Sequence, residues 1–234
     1  MLTVNELDYG AMIGDSFTYV KEGIIDNVNK WLLLIIATLI LALPLMGYIM
    51  NVYRGTKPAP DVNNWSKLFV DGILLFIVGI IYALPIIILE FLIFGTAFAT
   101  QIGSSPSTMM TGLAGIGILA VILILVIIAI AIVSPIGIIR FARTGNFGEA
   151  FNFGEIIATI KKIGWLPYIL ALIIIFIVVG IPGAILWVIL TALALALPII
   201  GCLIAGVILL IVLPILGIFE ARYLTQVYES AGIV

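Results

Sequence analysis

The chain has 234 residues, 64% of them hydrophobic and only 9% charged, and its mean hydropathy is +1.38. Soluble domains carry about 25% charged residues, so this composition predicts a single all-α, polytopic membrane domain over residues 1–234. A net charge of -2 with so few charged groups gives no support for nucleic acid, so we expect no nucleic acid partner, and no basic tract suggests binding to anionic lipid headgroups. The chain has no histidine and one cysteine, which excludes disulfides within the chain and His or Cys metal sites, so we expect no cofactor.

Residues 1–29 form an N-terminal segment whose spacing predicts an amphipathic helix. One face is apolar and the other is acidic, and the two sets are Ile13, Phe17, Val20 and Ile24, and Asp8, Asp15, Glu22 and Asp26. A helix with these two faces is expected to lie in the membrane interface.

Five segments have the roughly 20 apolar residues that a helix needs to cross about 30 Å of hydrocarbon. The predicted spans are Trp31–Tyr53, Gly72–Ala99, Gly112–Ile139, Trp165–Leu197 and Ile199–Ala221. The fourth span exceeds the bilayer thickness and contains Ile181-Pro182-Gly183, which interrupts a straight helix. Division of this segment into two crossings, which gives six spans, is therefore the alternative.

The connection at residues 54–71 is polar and patterned, which predicts a short interfacial helix on the cytoplasmic side. Trp65, Leu68 and Phe69 share one helical face with Gly72, the first residue of the next span. Lys67 and Asp71 have the i, i+4 spacing of a helical ion pair.

The connection at residues 140–164 has a similar pattern and predicts a second cytoplasmic amphipathic helix. Asn146 is a predicted N-cap, because Glu149 follows it by three residues. The apolar face of this helix is made of Phe147, Ala150, Phe151 and Gly154.

The distribution of lysine and arginine predicts the orientation of the chain, since cytoplasmic loops are enriched in both. With five spans, Lys21 and Lys30 lie on one side of the membrane. The other side has eight basic residues, which are Arg54, Lys57, Lys67, Arg140, Arg143, Lys161, Lys162 and Arg222. This interpretation places the C-terminus in the cytoplasm and the N-terminal segment outside, although Lys21 and Lys30 flank the first span and favour the reverse for that segment.

The first, third and fifth spans end on one pattern, a proline with a glycine close behind it and an arginine eight or ten residues after the proline. The prolines are Pro44, Pro135 and Pro214, and the arginines are Arg54, Arg143 and Arg222. Proline kinks a helix and glycine admits another helix closely, so the pattern predicts an internal repeat with a recurring packing device.

Two carboxylates, Glu90 and Glu220, are the candidate polar residues within the membrane, where an ionisable side chain is a functional hypothesis by default. Glu90 lies 19 residues beyond Asp71, or about 28 Å along a helix, which favours a position near the far interface. Glu220 ends the fifth span. The membrane centre is otherwise uncharged, which argues against a proton relay or a pump for charged substrates.

No residue pattern indicates an active site, so we predict no catalytic, cofactor-binding or metal-binding residues and a protein that is not an enzyme. An enzyme acting on lipid is the less favoured alternative, and it needs Asp61, Asp71, Glu149 and Glu155 to converge. The patterned cytoplasmic connections instead predict an interaction surface made of Arg54, Asp61, Trp65, Phe69, Asp71, Arg140, Arg143, Phe147 and Phe151.

Residues 47–85 combine Gly47-Tyr48, a basic residue at Arg54, a turn with Pro58 and Pro60, and a closing series of Asp61, Trp65, Leu68, Phe69, Asp71 and Gly72. Here the chain resembles the family catalogued as the domain of unknown function numbered 4013, which is a largely archaeal family of uncharacterised membrane proteins. Residues 140–156 and 221–229 extend the resemblance. The resemblance implies a polytopic architecture and an archaeal cell membrane, and it implies no reaction.

We therefore expect a non-catalytic membrane protein that organises lipid or partner proteins through its interfacial helices. The expected partners are membrane lipids, a second copy of the chain or other membrane proteins. The alternative is a permease or channel for a neutral or apolar small solute, because broken helices line the binding sites of transporters.

Overall fold

The computed structural model describes residues 7–102 and 105–232, and every regular element within these ranges is a helix. The α-helices are α1 (Tyr9–Val20), α2 (Val28–Leu39), α3 (Leu43–Tyr53), α4 (Trp65–Ile102), α5 (Pro106–Thr144), α6 (Phe153–Ile163), α7 (Trp165–Ile175), α8 (Ile181–Ala196) and α9 (Pro198–Glu229). Two π-helical turns, Lys21–Ile25 and Phe176–Gly180, follow α1 and α7, and a 3₁₀ turn, Phe147–Phe151, precedes α6.

Four helices are long and apolar enough to cross a membrane, by their length and composition. They are Trp65–Thr100, Met109–Thr144, Trp165–Ala196 and Pro198–Glu229. These four contain the predicted second to fifth spans almost completely. A π-helical turn, Phe176–Gly180, interrupts the Trp165–Ala196 helix just before α8, which has Pro182 in its first turn. This region is a single interrupted helix, and the six-span alternative is not confirmed.

The segment predicted as the first span, Trp31–Tyr53, is not one continuous helix. It forms α2 and α3, which at 1.5 Å per residue are about 18 Å and about 16 Å long and too short to cross hydrocarbon of about 30 Å. Leu41 and Ala42 between them adopt left-handed backbone conformations with φ of 55° and 58°, and Pro44 lies in the first turn of α3. A count of five spans is therefore not confirmed.

The two ends of this segment lie on the same side of the protein. Lys30, near the start of α2, donates to the carbonyl of Ala59 at 3.0 Å and lies 3.1 Å from Asp61, and both partners follow α3. The chain therefore runs up α2, reverses and returns down α3. We call residues 28–53 the re-entrant hairpin, and its tip is apolar, with Leu41 84% exposed.

The N-terminal helix also lies at the end of the protein that holds the C-terminal part of α9. Asp15 on α1 accepts from Arg222 Nε at 2.7 Å, and Tyr19 donates to the carbonyl of Thr56 at 2.9 Å. The expectation that the N-terminal segment and the C-terminus lie on opposite sides is therefore wrong. Because both ends of residues 28–53 lie at this end of the protein, this segment does not carry the chain from one end of the protein to the other.

As a result, all ten lysine and arginine residues lie at one end of the protein, which we call the charged face. The residues are Lys21, Lys30, Arg54, Lys57, Lys67, Arg140, Arg143, Lys161, Lys162 and Arg222. The buried residues gather at the same end. On α4 they run from Leu68 to Tyr82 and on α5 from Ile136 to Ala142, while the far halves of both helices expose their side chains.

Helices α3 and α4 cross with their backbones in close contact at Gly47 and Gly72. A Cβ atom on Gly47 would overlap the backbone of Leu68, and one on Gly72 would overlap the carbonyl of Leu43. The predicted interfacial helix at Trp65–Gly72 is thus the beginning of α4, held against α3. This crossing fixes the re-entrant hairpin to α4.

Candidate functional site

The three arginines that follow the repeated prolines each bind a carboxylate at the charged face. Arg54, at the end of α3, donates to Asp71 on α4 at 2.6 Å and to Asn51 at 2.6 Å. Its Nε also donates to the carbonyl of Ala142 on α5 at 3.2 Å. The predicted Lys67–Asp71 pair is therefore not the one that forms, because Asp71 is buried and faces Arg54.

Arg143, at the end of α5, joins α3 to α9. Its Nε donates to the carbonyl of Tyr53 at 2.8 Å, and its terminal nitrogen donates to Glu229 at 2.5 Å. The guanidinium also lies 5.6 Å from the centre of the Tyr228 ring, within the range of a cation–π interaction. Arg143 thus links three helices at their charged ends.

Arg222 is the most deeply buried charge of the described residues and is only 2% exposed. Asp15 neutralises it from α1, and the ring of Tyr19 covers it at 5.4 Å. Asp15 also accepts from Lys57 at 2.8 Å. Partial burial acts to raise the pKa of Asp15, but the hydrogen bonds from Lys57 and Arg222 outweigh it, so the pKa is lowered and the carboxylate stays ionised.

Arg140 holds two carboxylates of the second connection. Glu149 accepts from both Nε and a terminal nitrogen of Arg140, and Glu155 lies 3.7 Å from the same terminal nitrogen. The hydrogen bond from Asn152, together with those from Arg140, lowers the pKa of Glu149. Asn146 caps the 3₁₀ turn by accepting from the backbone of Gly148, as its predicted N-cap role requires, although the turn is not an α-helix.

A polar cleft of about 530 Å³ opens on the charged face between α1, its π-helical turn and the loop that follows α3. Its charged lining residues are Asp15, Glu22, Lys30, Lys57 and Asp61. Lys30 and Lys57 are occupied by ion pairs with Asp61 and Asp15, so the cleft offers no free cation among these five residues.

The residues of the predicted interaction surface occupy different environments. Phe147 and Phe151 pack with Phe141, near the end of α5, and Tyr82, near the middle of α4, with ring centres 5.2 to 5.8 Å apart. Trp65 packs against the core of the re-entrant hairpin. The arginines Arg54, Arg140 and Arg143 and the carboxylate Asp71 are held in the ion pairs above, whereas Asp61 and Phe69 are exposed. The role of this set as an interaction surface stays a prediction.

Helix α6 presents a second set of residues that the sequence patterns did not group into one surface. Its buried side packs Ile156, Ile160 and Ile163 against the core. The opposite side exposes an apolar and basic strip, and Trp165 and Leu166 continue it into α7; the strip consists of Phe153, Ile157, Lys161, Lys162, Trp165 and Leu166. We call this the α6 strip. The i, i+4 spacing of residues 153, 157 and 161 is the sequence signal that reveals it.

The two candidate intramembrane carboxylates lie in contrasting surroundings. Glu90 is exposed on the outward surface of α4 and makes no hydrogen bond or ion pair within residues 7–102 and 105–232. Glu220 lines a crevice of about 160 Å³ with Ile175, Phe176, Val179 and Gly180.

Two further observations bear on the chemistry of the protein, the search for metal-binding side chains and the comparison with known proteins. Across the described ranges, no group of three or more His, Cys, Asp or Glu residues is placed to hold a metal ion. A family model described as a protein of unknown function (DUF4013) matches residues 31–194. No curated protein and no solved structure matches the chain.

Proposed function

The chain belongs to the DUF4013 family of proteins of unknown function, and on this premise we propose that it is a non-catalytic membrane protein that organises anionic lipids at its charged face. The observation that carries the proposal is the α6 strip. Lys161 and Lys162 are exposed and form no ion pair within the described residues, and apolar side chains flank them. Exposed cations beside apolar residues suit a helix that lies among lipid headgroups.

The orientation that we propose has the charged face on the cytoplasmic side of a cell membrane, together with α1 and the C-terminal part of α9. Its support is the location of all ten lysine and arginine residues at one end, since cytoplasmic segments are enriched in these residues. The cytoplasmic leaflet also carries the anionic lipids that attract such residues. The α6 strip would then face the leaflet that holds its proposed ligands.

The charged groups of the face support a structural role over catalysis. Of the four carboxylates that a lipid-acting enzyme needs to bring together, Asp71 binds Arg54 and Asp61 pairs with Lys30. Glu149 and Glu155 do meet, at Arg140, and Glu149 is held there by two hydrogen bonds from the guanidinium. These groups join helices to each other.

The permease alternative has less support. The polar cleft lies at the charged face, outside the spans. Two crevices at the spans are lined almost entirely by apolar side chains, one at Pro85 and Phe153 and one at Leu216 and Phe219. A solute pathway needs polar groups or a cavity that reaches the membrane centre.

The double substitution Lys161→Gln with Lys162→Gln tests the proposal. We expect it to weaken the preference for anionic over zwitterionic lipid at Trp165, because each lysine near the membrane surface contributes about 1 kcal/mol. The measurement is quenching of tryptophan fluorescence by brominated phosphatidylglycerol and brominated phosphatidylcholine in proteoliposomes. Trp31, Trp65 and Trp187 are first replaced by phenylalanine so that Trp165 alone reports.

Lys67→Gln is the matched control, because Lys67 is an exposed and unpaired lysine of the described region that lies on α4, away from the α6 strip. The control should keep the lipid preference of the parent protein. An unchanged ratio of quenching by the two lipids in the double variant contradicts the proposed function.

A further inference from the structure

The two π-helical turns border a single apolar crevice, whose other described walls are α1 and α9. Ile25 belongs to the first turn, Val178 and Val179 belong to the second, and Phe219 lies on α9. The crevice has a volume of about 190 Å³ and adjoins the crevice at Glu220, since Val179 lines both. π-helical turns are rare and frequently occur at functional sites.

The second turn shapes the floor of the crevice. The Phe176 ring folds back over Gly180, where a Cβ atom would meet the ring at 2.7 Å, and the Phe176 side chain remains 64% exposed. Gly180 therefore makes room for the Phe176 ring, which a larger residue would displace. Phe176 and Gly180 line the same crevice as Glu220.

Glu220 has no counter-charge of its own. Arg222 is only two residues away, but its side chain is directed to Asp15 and Tyr19. Glu220 makes no hydrogen bond or ion pair among the described residues, although a carboxylate at the edge of the hydrocarbon is costly unless a cation or a donor meets it. The crevice thus combines an apolar wall with one uncompensated negative charge.

We propose that this crevice binds a membrane amphiphile with an ammonium headgroup, whose charge pairs with Glu220 and whose chain lies against the π-helical turns. An ammonium group has three donors and a positive charge, which match a lone carboxylate. A divalent metal is a poor match, because Ca²⁺ takes 6–8 oxygen ligands and Glu220 is the only acidic residue among the described residues that line the crevice. Anionic headgroups would be repelled, so this site is distinct from the α6 strip.

Photocrosslinking with a long-chain primary amine that carries a diazirine in its chain tests the proposal. The purified full-length protein is reconstituted in phosphatidylcholine nanodiscs, and the labelled residues are identified by mass spectrometry. We expect labels within residues 175–180 and 215–220. Glu220→Gln should reduce this labelling at least about fivefold, because a charge-assisted hydrogen bond is lost. Glu220→Asp, which keeps the charge, should restore part of it.

Glu90→Gln is the matched control, since Glu90 is the other exposed and unpaired carboxylate on a described span, and labelling at the crevice should not change. An alcohol of the same chain length should compete weakly. Three results would each overturn the proposal: labelling of Glu220→Gln as strong as that of the parent protein, competition by the alcohol as strong as that by the unlabelled amine, or labels outside residues 175–180 and 215–220. Circular dichroism checks that the variants are folded. The double variant Lys161→Gln with Lys162→Gln should keep the labelling at the crevice, so a failure of the proposed function at the α6 strip is distinguishable from a failure of this proposal.

Discussion

Gly47→Ala is expected to lower the thermal stability of the protein strongly, as is Gly72→Ala on the other side of the same helix crossing. The new Cβ would overlap the carbonyl, carbonyl carbon and Cα of Leu68, which are backbone atoms and have no alternative rotamer. Either α3 and α4 separate or the backbone distorts, and overpacking of this kind costs about 1–3 kcal/mol and occasionally more. Apparent melting temperature in detergent, followed by circular dichroism, measures the effect.

Gly79→Ala is the control for this prediction. Gly79 lies on the same helix, α4, and a Cβ atom there would meet nothing within 4 Å. Because alanine favours a helix over glycine by about 1 kcal/mol, the control should be neutral or slightly stabilising. If the two variants melt at the same temperature, the close crossing of α3 and α4 is wrong.

Asp15→Asn is expected to be the most damaging change among the ion pairs of the charged face. It leaves the buried guanidinium of Arg222 without a counter-charge and also removes the partner of Lys57. Loss of one partner from a fully buried pair costs about 3–5 kcal/mol, and we expect about 2 kcal/mol here because the Asp15 side chain is 37% exposed. Denaturant unfolding in detergent, monitored by near-ultraviolet circular dichroism, measures this loss.

Asp61→Asn is the comparison, since Asp61 also pairs with a lysine but its side chain is 76% exposed. Exposed pairs contribute about 0–1 kcal/mol, so this variant should be nearly as stable as the parent.

Asp15 should also make the stability of the protein depend on pH. Its pKa is lowered on folding, so its contribution is fully present above the ordinary aspartate pKa of about 4 and is lost as the pH falls through the lower folded value. Asp15→Asn should lose this acid dependence. Equal stability of Asp15→Asn and Asp61→Asn would contradict the role of Arg222 as a buried charge that Asp15 neutralises.

The sequence was sufficient to locate the four long helices, because hydropathy and length determine whether a helix can cross a membrane. The re-entrant hairpin was not predictable from the same quantities. Trp31–Tyr53 is as apolar as a span, and its reversal depends on left-handed conformations at Leu41 and Ala42, which neither residue favours on its own. Pro44 was visible, but it was interpreted as a kink in a continuous span, and only its packing with α4 distinguishes a kink from a new helix.

The charged face could be predicted only in part for a similar reason. The arginines were found through their spacing from proline, but their partners lie 17, 86 and 207 residues away along the chain. The i, i+4 spacing predicted Lys67 as the ion-pair partner of Asp71, whereas tertiary packing places Arg54 beside Asp71. The environment of Glu220 also depends on tertiary structure, since its crevice is formed by the π-helical turn of another helix.

The most direct test of the architecture is the side of the membrane on which the two ends of the re-entrant hairpin lie. Single cysteines are introduced by Asp26→Cys, Thr56→Cys and Ser107→Cys in a Cys202→Ser background, and intact cells are treated with a membrane-impermeant maleimide. All three positions are exposed. The re-entrant hairpin predicts that the first two react only after permeabilisation and that the third reacts in intact cells. Labelling of Asp26→Cys and Thr56→Cys from opposite sides would mean that residues 28–53 cross the membrane, and would contradict the account.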